Sequence, residues 1–191
     1  MHRGTLTLLL GPRPGHRRRS LYVKPRGSSR SRRVVKNVGI SWRLAVSSRW
    51  AAYETVGGEE EQVRVVNLET GRSRLIAASS TLDEDCRCTT RAYGIGGMAL
   101  SGRYVYWIEA DSPQHMTGDP ATARTRIGRA RLDAGERPEI DYFVPERLAV
   151  SLAARGSRIV YEAGSHTEPP GVREVTDPAW MPSGTRIPAR L

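Results

Sequence analysis

Two cysteines and three carboxylates fall within one run of six residues, Asp83-Glu84-Asp85-Cys86-Arg87-Cys88. Thiolates and carboxylates at this density can ligate a metal, and two thiols one residue apart can close a strained disulfide. A structural zinc site needs four ligands, usually as two separated pairs. No second pair follows, and the nearest histidine by sequence is His115. The expectation is a strained local disulfide or a free thiol pair on an inter-blade loop, with no metal residue. His2, His16, His115 and His166 are scattered. His115 and His166 each follow the central strand of a predicted unit, so both can face one rim. A catalytic pair would also need an orienting carboxylate and a nucleophile in reach, so all four read as exposed loop histidines. Gly94-Ile95-Gly96-Gly97 lacks the third glycine and the following helix of a dinucleotide-binding turn, and reads as a loosened lead-in to an inner strand. No phosphate-binding loop, serine elbow or paired-histidine zinc motif occurs. Catalytic, cofactor-binding and metal residues are therefore all assigned as none, no cofactor is expected, and the chain is read as a non-enzyme.

The elements that must hold any site repeat at a fixed interval. Ser48-Arg49-Trp50-Ala51-Ala52-Tyr53-Glu54 is echoed by Gly102-Arg103-Tyr104-Val105-Tyr106-Trp107-Ile108. It returns as Gly156-Ser157-Arg158-Ile159-Val160-Tyr161-Glu162. Each copy is a turn followed by a short aromatic and β-branched strand, and regular self-similarity marks a repeat architecture. A fourth copy, Gly184-Thr185-Arg186-Ile187, arrives early. The spacing predicts strands at Val34–Val38, Ile40–Val46, Trp50–Thr55, Gln62–Leu68 and Arg72–Ala77, with a hairpin turn at Glu69-Thr70-Gly71. Strands at Met98–Leu100, Arg103–Glu109, Arg126–Leu132, Glu139–Val144 and Arg158–Glu162 follow. The stretch Pro145–Ala154 reads as a strand on the repeat, with a short helix as the alternative. Trp42, Trp50, Trp107 and Tyr161 are the bulky rings of the units and are expected to fill the gaps between sheets.

Charge is unevenly spread. The formal net charge is +10, yet residues 1 to 36 hold eleven Lys and Arg and no acid, leaving nineteen basic and twenty acidic residues in the rest. Residues 1 to 33 are rich in Arg, Ser, Gly and Pro and are predicted to be a disordered basic arm. No apolar run approaches the roughly 18 residues of a membrane-spanning helix. Leu6–Leu10 is short for a signal peptide, and its charges follow the apolar stretch instead of preceding it. No signal peptide is recognised.

Trp180-Met181-Pro182-Ser183-Gly184-Thr185-Arg186-Ile187 resembles the W-S-P-D-G-T-R-I motif of TolB-like β-propeller repeats. Leu68-Glu69-Thr70-Gly71 and Leu132-Asp133-Ala134-Gly135 resemble that family's D-L-x-T-G turn between outer strands. Ser183 and Ser48 depart from the usual Asp and Gly, and Pro188 interrupts the strand after Ile187. The resemblance covers roughly residues 34 to 191. It implies a β-propeller that serves mainly as a protein-interaction platform, often in extracytoplasmic proteins and sometimes attached to peptidases.

The expected architecture is an all-β, incomplete propeller-like array of about three to four antiparallel blades over residues 34–191, behind the arm at 1–33. Propellers close with about four to eight blades, so an array this short has open sheet edges. It is read as a fragment, a self-associating chain or an incomplete propeller. The expected function is a non-catalytic protein-binding or structural module whose open edges take a protein partner or another copy. The alternatives are the remnant of a propeller-containing hydrolase, or a binder of nucleic acid or an anionic surface through the arm.

Overall fold

The computed structural model describes residues 7–12, 19–24, 27–38, 40–57, 60–80, 92–112, 124–133, 135, 140–143, 149–163 and 171–176. Among them there is no helix, and every sheet is antiparallel. The first sheet is β1 (Thr7–Pro12), β2 (Arg19–Lys24) and β3 (Arg32–Val38). The second is β4 (Ile40–Val46), β5 (Trp50–Gly57), β6 (Glu60–Asn67) and β7 (Ser73–Ser80). The third is β8 (Ala92–Ser101), β9 (Tyr104–Ser112), β10 (Arg124–Arg131) and β11 (Ile140–Phe143). The fourth is β12 (Ala149–Arg155), β13 (Arg158–Ala163) and β14 (Gly171–Thr176). Within each sheet the strands neighbour one another in chain order, so each sheet is a simple meander.

The first turns of the last three sheets contain Ser48, Gly102 and Gly156. Gly102 has φ 57° and Gly156 has φ 61°, in the left-handed region where a Cβ is strained. The Ser48 turn is closed differently. The Ser47 amide donates to the Trp50 carbonyl at 2.8 Å, and the Trp50 amide donates to the Ser47 hydroxyl at 3.1 Å.

Strand alternation sends successive residues to opposite faces, and here the two faces meet different sheets. Ala51 and Tyr53 pack with Leu21, Val23 and Val35 of the first sheet, while Ala52 packs with Val105 and Trp107 of the third. Tyr106 and Ile108, on the reverse of Val105 and Trp107, pack with Ile159 and Tyr161 of the fourth. All four of Val105, Tyr106, Trp107 and Ile108 are fully buried. The core is thus three apolar seams between four stacked sheets, not one central mass. Innermost strand β8 lies between β4 and β12. Its glycine pair permits this. A Cβ on Gly96 would come within 2.8 Å of Ile108 Cβ, and one on Gly97 within 2.9 Å of the Leu152 amide nitrogen. Both sit where the β8 register shifts between Ile95 and Met98.

The structure corrects the reading of residues 1 to 33 as a disordered arm. β1, β2 and the start of β3 occupy that stretch. Ser20, Leu21, Tyr22 and Val23 alternate, and Leu21 and Val23 are buried against the second sheet. Hydrophobic burial at alternate positions offsets the ordering entropy that a basic composition suggests is unmet. Val34–Val38 accordingly joins this first sheet. The stretch 145–154 contributes β12 and no helix at its described residues, and β14 is a strand that the sequence pattern did not single out.

Candidate functional site

The strands run between two rims. Ser101 pairs with Tyr104 at the rim of tight turns, and Ala92 pairs with Ser112 at the other. The strand ends that flank residues 81–91, 113–123 and 164–170 lie at that other rim. Cys86, Cys88, His115 and His166 belong to these stretches and lie outside the described residues, as do His2, His16 and the fourth copy at 184–187. Among the described residues no group of three His, Cys, Asp or Glu side chains is arranged to hold a metal. Trp107 and Tyr161 fill the seams as expected, and Trp50 packs against one of them. The side chain of Trp42 lies outside the description.

One buried polar cluster is centred on Glu109, which is 2% exposed. Alternation on β9 places it on the face of Val105 and Trp107. Its Oε1 accepts from Trp107 Nε1 at 2.8 Å and from the Tyr142 hydroxyl at 3.1 Å. Its Oε2 accepts from Arg126 Nε at 2.5 Å, and the Arg126 guanidinium also lies 4.3 Å from the Tyr142 ring centroid. Burial pushes the Tyr142 phenol well above its ordinary range, and the Glu109 charge pushes it further. Both carboxylate oxygens are taken by donors from three strands, and the only hydroxyl among these partners is the Tyr142 phenol, which burial keeps protonated. This arrangement pins strands together by satisfying a buried charge. A second buried carboxylate, Glu54, is held by Arg43 at 3.2 Å. Glu61 reaches across to the next sheet and accepts the Ile95 amide at 2.6 Å.

The turn rim is tied together across all four sheets. Arg32 of β3 donates to the carbonyls of Leu68 and Glu69 in the second sheet's turn. Arg74 of β7 donates to the carbonyls of Gly135 at 2.8 Å and Arg131 at 2.6 Å in the third sheet's turn. Ser101 donates to the Gly156 carbonyl at 2.9 Å in the fourth. Within sheets, the Leu68 amide donates to the Arg49 carbonyl and the Leu132 amide to the Arg103 carbonyl, at 2.8 and 2.7 Å. The turn motifs at Leu68–Gly71 and Leu132–Gly135 are thus each latched by an arginine of the preceding sheet. Sequence reading identified the turns but missed the arginines, because the partners are 36 to 61 residues apart.

The fourth sheet packs on the third through Ile159 and Tyr161. Its reverse face carries Ser151, Ala153, Arg158, Val160, Glu162 and Val172 by strand alternation and pairing. Val172 is 74% exposed, the most exposed large hydrophobic among the described residues. Among the described residues this face is mixed, with one open aliphatic side chain on β14 beside the polar and charged side chains of β12 and β13.

The comparisons with known proteins agree with this architecture. TolB from Acinetobacter baumannii superposes with a TM-score of 0.57 and 13% sequence identity, over 92% of this chain and 39% of that one. The acylaminoacyl peptidase of Pyrococcus horikoshii superposes with a TM-score of 0.56 and 12% identity, over 84% of this chain and 27% of that one. The chain matches β-propeller structure. At such identities the likeness is one of fold, and this chain spans less than two-fifths of either protein's length. No protein-family model and no curated protein matches the sequence. No helix among the described residues is long and apolar enough to cross a membrane.

Proposed function

We propose that this chain is a non-catalytic β-propeller-type repeat module that binds protein through the reverse face of its fourth sheet, open at Val172 among the described residues. The observation that carries this reading is the reverse face of the fourth sheet. Val172 is open there, while Ile159 and Tyr161 on the other side of the same sheet are sealed against a neighbour. The occupant is another copy of the chain or a partner that presents a β-layer. The non-catalytic part is supported by the Glu109 cluster, whose oxygens serve donors that pin three strands together.

Sedimentation velocity over a range of concentrations, paired with cross-linking of a Val172→Cys variant, tests the reading. Concentration-dependent association that places the introduced thiol in the contact, and that Val172→Asp abolishes, is the expected result. A monomer at every concentration whose introduced thiol is labelled freely, alone and in cell extract, overturns it. The rival reading, a propeller that assists a hydrolase, draws only on the fold likeness to the acylaminoacyl peptidase. Turnover of acyl-peptide or ester substrates by the purified chain would favour it, and none is expected.

A further inference from the structure

Exposed cations gather at the turn rim. Arg30 lies in the turn before β3, Arg72 follows the second sheet's outer turn, Arg103 sits in the third sheet's first turn, and Arg155 ends β12. All four side chains are exposed, and each comes from a different sheet. The latches described above hold these turns in one continuous row, so the guanidinium groups share one rim. Acids on the rim are already engaged: Glu69 with Arg49 at 3.8 Å, and Asp133 with Arg131 at 3.0 Å and, through charge alone, with Arg103.

We propose that the turn rim is a docking surface for an acidic protein segment, whose carboxylates are taken by Arg30, Arg72, Arg103 and Arg155. Guanidinium groups match carboxylates in paired, planar contacts. One exposed contact is weak, and four on a latched scaffold act together because their spacing is fixed before binding. The rim favours separated carboxylates over a nucleic-acid backbone for two reasons. The paired acids Glu69 and Asp133 break the positive row into separated cations, a spacing that suits separated carboxylates better than a continuous polyanion. The described rim aromatics are engaged in packing: Arg129 lies 4.8 Å from the Tyr104 ring centroid and Trp50 packs against a seam, which disfavours base stacking. Three of the four arginines lie away from the reverse face of the fourth sheet, and Arg155 borders it through its pairing with Arg158, so reversal of Arg30, Arg72 and Arg103 tests this surface independently of the association proposed there.

Fluorescence anisotropy with the full chain tests the proposal, using a labelled glutamate-rich peptide, a labelled DNA duplex and phosphatidylserine vesicles. The peptide is expected to bind, with affinity falling as salt rises through the screening range. Arg103→Glu is expected to weaken binding about tenfold, and the combined reversal of all four arginines to remove it. Lys36→Glu makes the same charge change as Arg103→Glu at an exposed site on β3, away from the turns, and is expected to leave affinity near that of the parent. Three results would overturn the proposal: no peptide binding at low salt, an equal loss from Lys36→Glu, or tighter binding of duplex or vesicle than of peptide. Circular dichroism of each variant confirms that its β-sheet content is retained.

Discussion

Trp107 and Gly128 face one another across β9 and β10, and the indole occupies the space a side chain on Gly128 would need. A Cβ built there would lie 2.4 Å from two atoms of the ring. Trp107 in turn packs with Ala52, Val65 and Tyr142, its ring edge-on to the tyrosine at 6.2 Å. The glycine on one strand therefore sets the packing of the seam between two sheets.

Gly128→Ala is expected to displace the indole and lower stability by about 1–3 kcal/mol through overpacking. Urea denaturation followed by tryptophan fluorescence measures both effects. The native emission of the variant should also shift, because Trp107 loses its fixed partner at Glu109.

Truncating Glu109 removes the acceptor for three donors. Glu109→Ala is expected to cost about 3 kcal/mol, since it takes from Arg126 and from two buried donors the acceptor they share. Glu109→Gln keeps an oxygen for Trp107 and Tyr142 and is expected to cost about 1 kcal/mol. Equal losses for the two would show that the charge, not the hydrogen-bond geometry, holds the cluster.

Alkaline stability should depend on Tyr142. Its folded pKa lies above the ordinary value of 10.0, chiefly through burial. The unfolded phenol therefore releases its proton first. The contribution is fully present below about pH 10 and declines as pH rises from there toward the raised folded value. Tyr142→Phe cannot release this proton. Its unfolding free energy should fall less steeply above that pH than the parent's, as read from urea midpoints at successive pH values.

Cutting a latch should loosen two sheets at once. Arg74→Ala removes donors to the carbonyls of Gly135 and Arg131, and a loss of about 1–2 kcal/mol is expected. Hydrogen exchange should quicken in both the second and the third sheet near their turns. Arg74→Lys retains the charge but not the two-pronged geometry, and should restore only part of the protection.

Ile159→Asp places a carboxylate in the seam between the third and fourth sheets, where Ile159 is fully buried. A loss above about 4 kcal/mol is expected. Faster exchange at Tyr106 and Ile108, in the neighbouring sheet, would distinguish a shared seam from a purely local defect.

The sheets were legible where local chemistry decides the chain path. Glycine at 71, 102 and 156 announces turns with positive φ, and the alternation at Val63, Val65 and Val66 announces a strand with two buried faces. The first sheet was hidden because the Leu21 and Val23 alternation is short and sits inside a strongly basic stretch. Composition argued for disorder there, while burial against Ala51 and Tyr53 decided otherwise. The rim latches and the Glu109 cluster were illegible for another reason. Arg74 and the carbonyls it binds, or Glu109 and Tyr142, meet only after whole strands have been placed.

The run Val105-Tyr106-Trp107-Ile108 has one further consequence. Its four side chains are committed alternately to the two neighbouring sheets, so the strand tolerates no shift of frame. One added or deleted residue would send the indole toward Ile159 and the phenol toward Val65, each into a space shaped for the other. A lengthened turn such as that at Gly102, where a Cβ meets no atom within 4 Å, leaves the alternation intact. Changes of length in this chain are therefore accommodated at the turns, while the strands between them behave as a reading frame written in three dimensions.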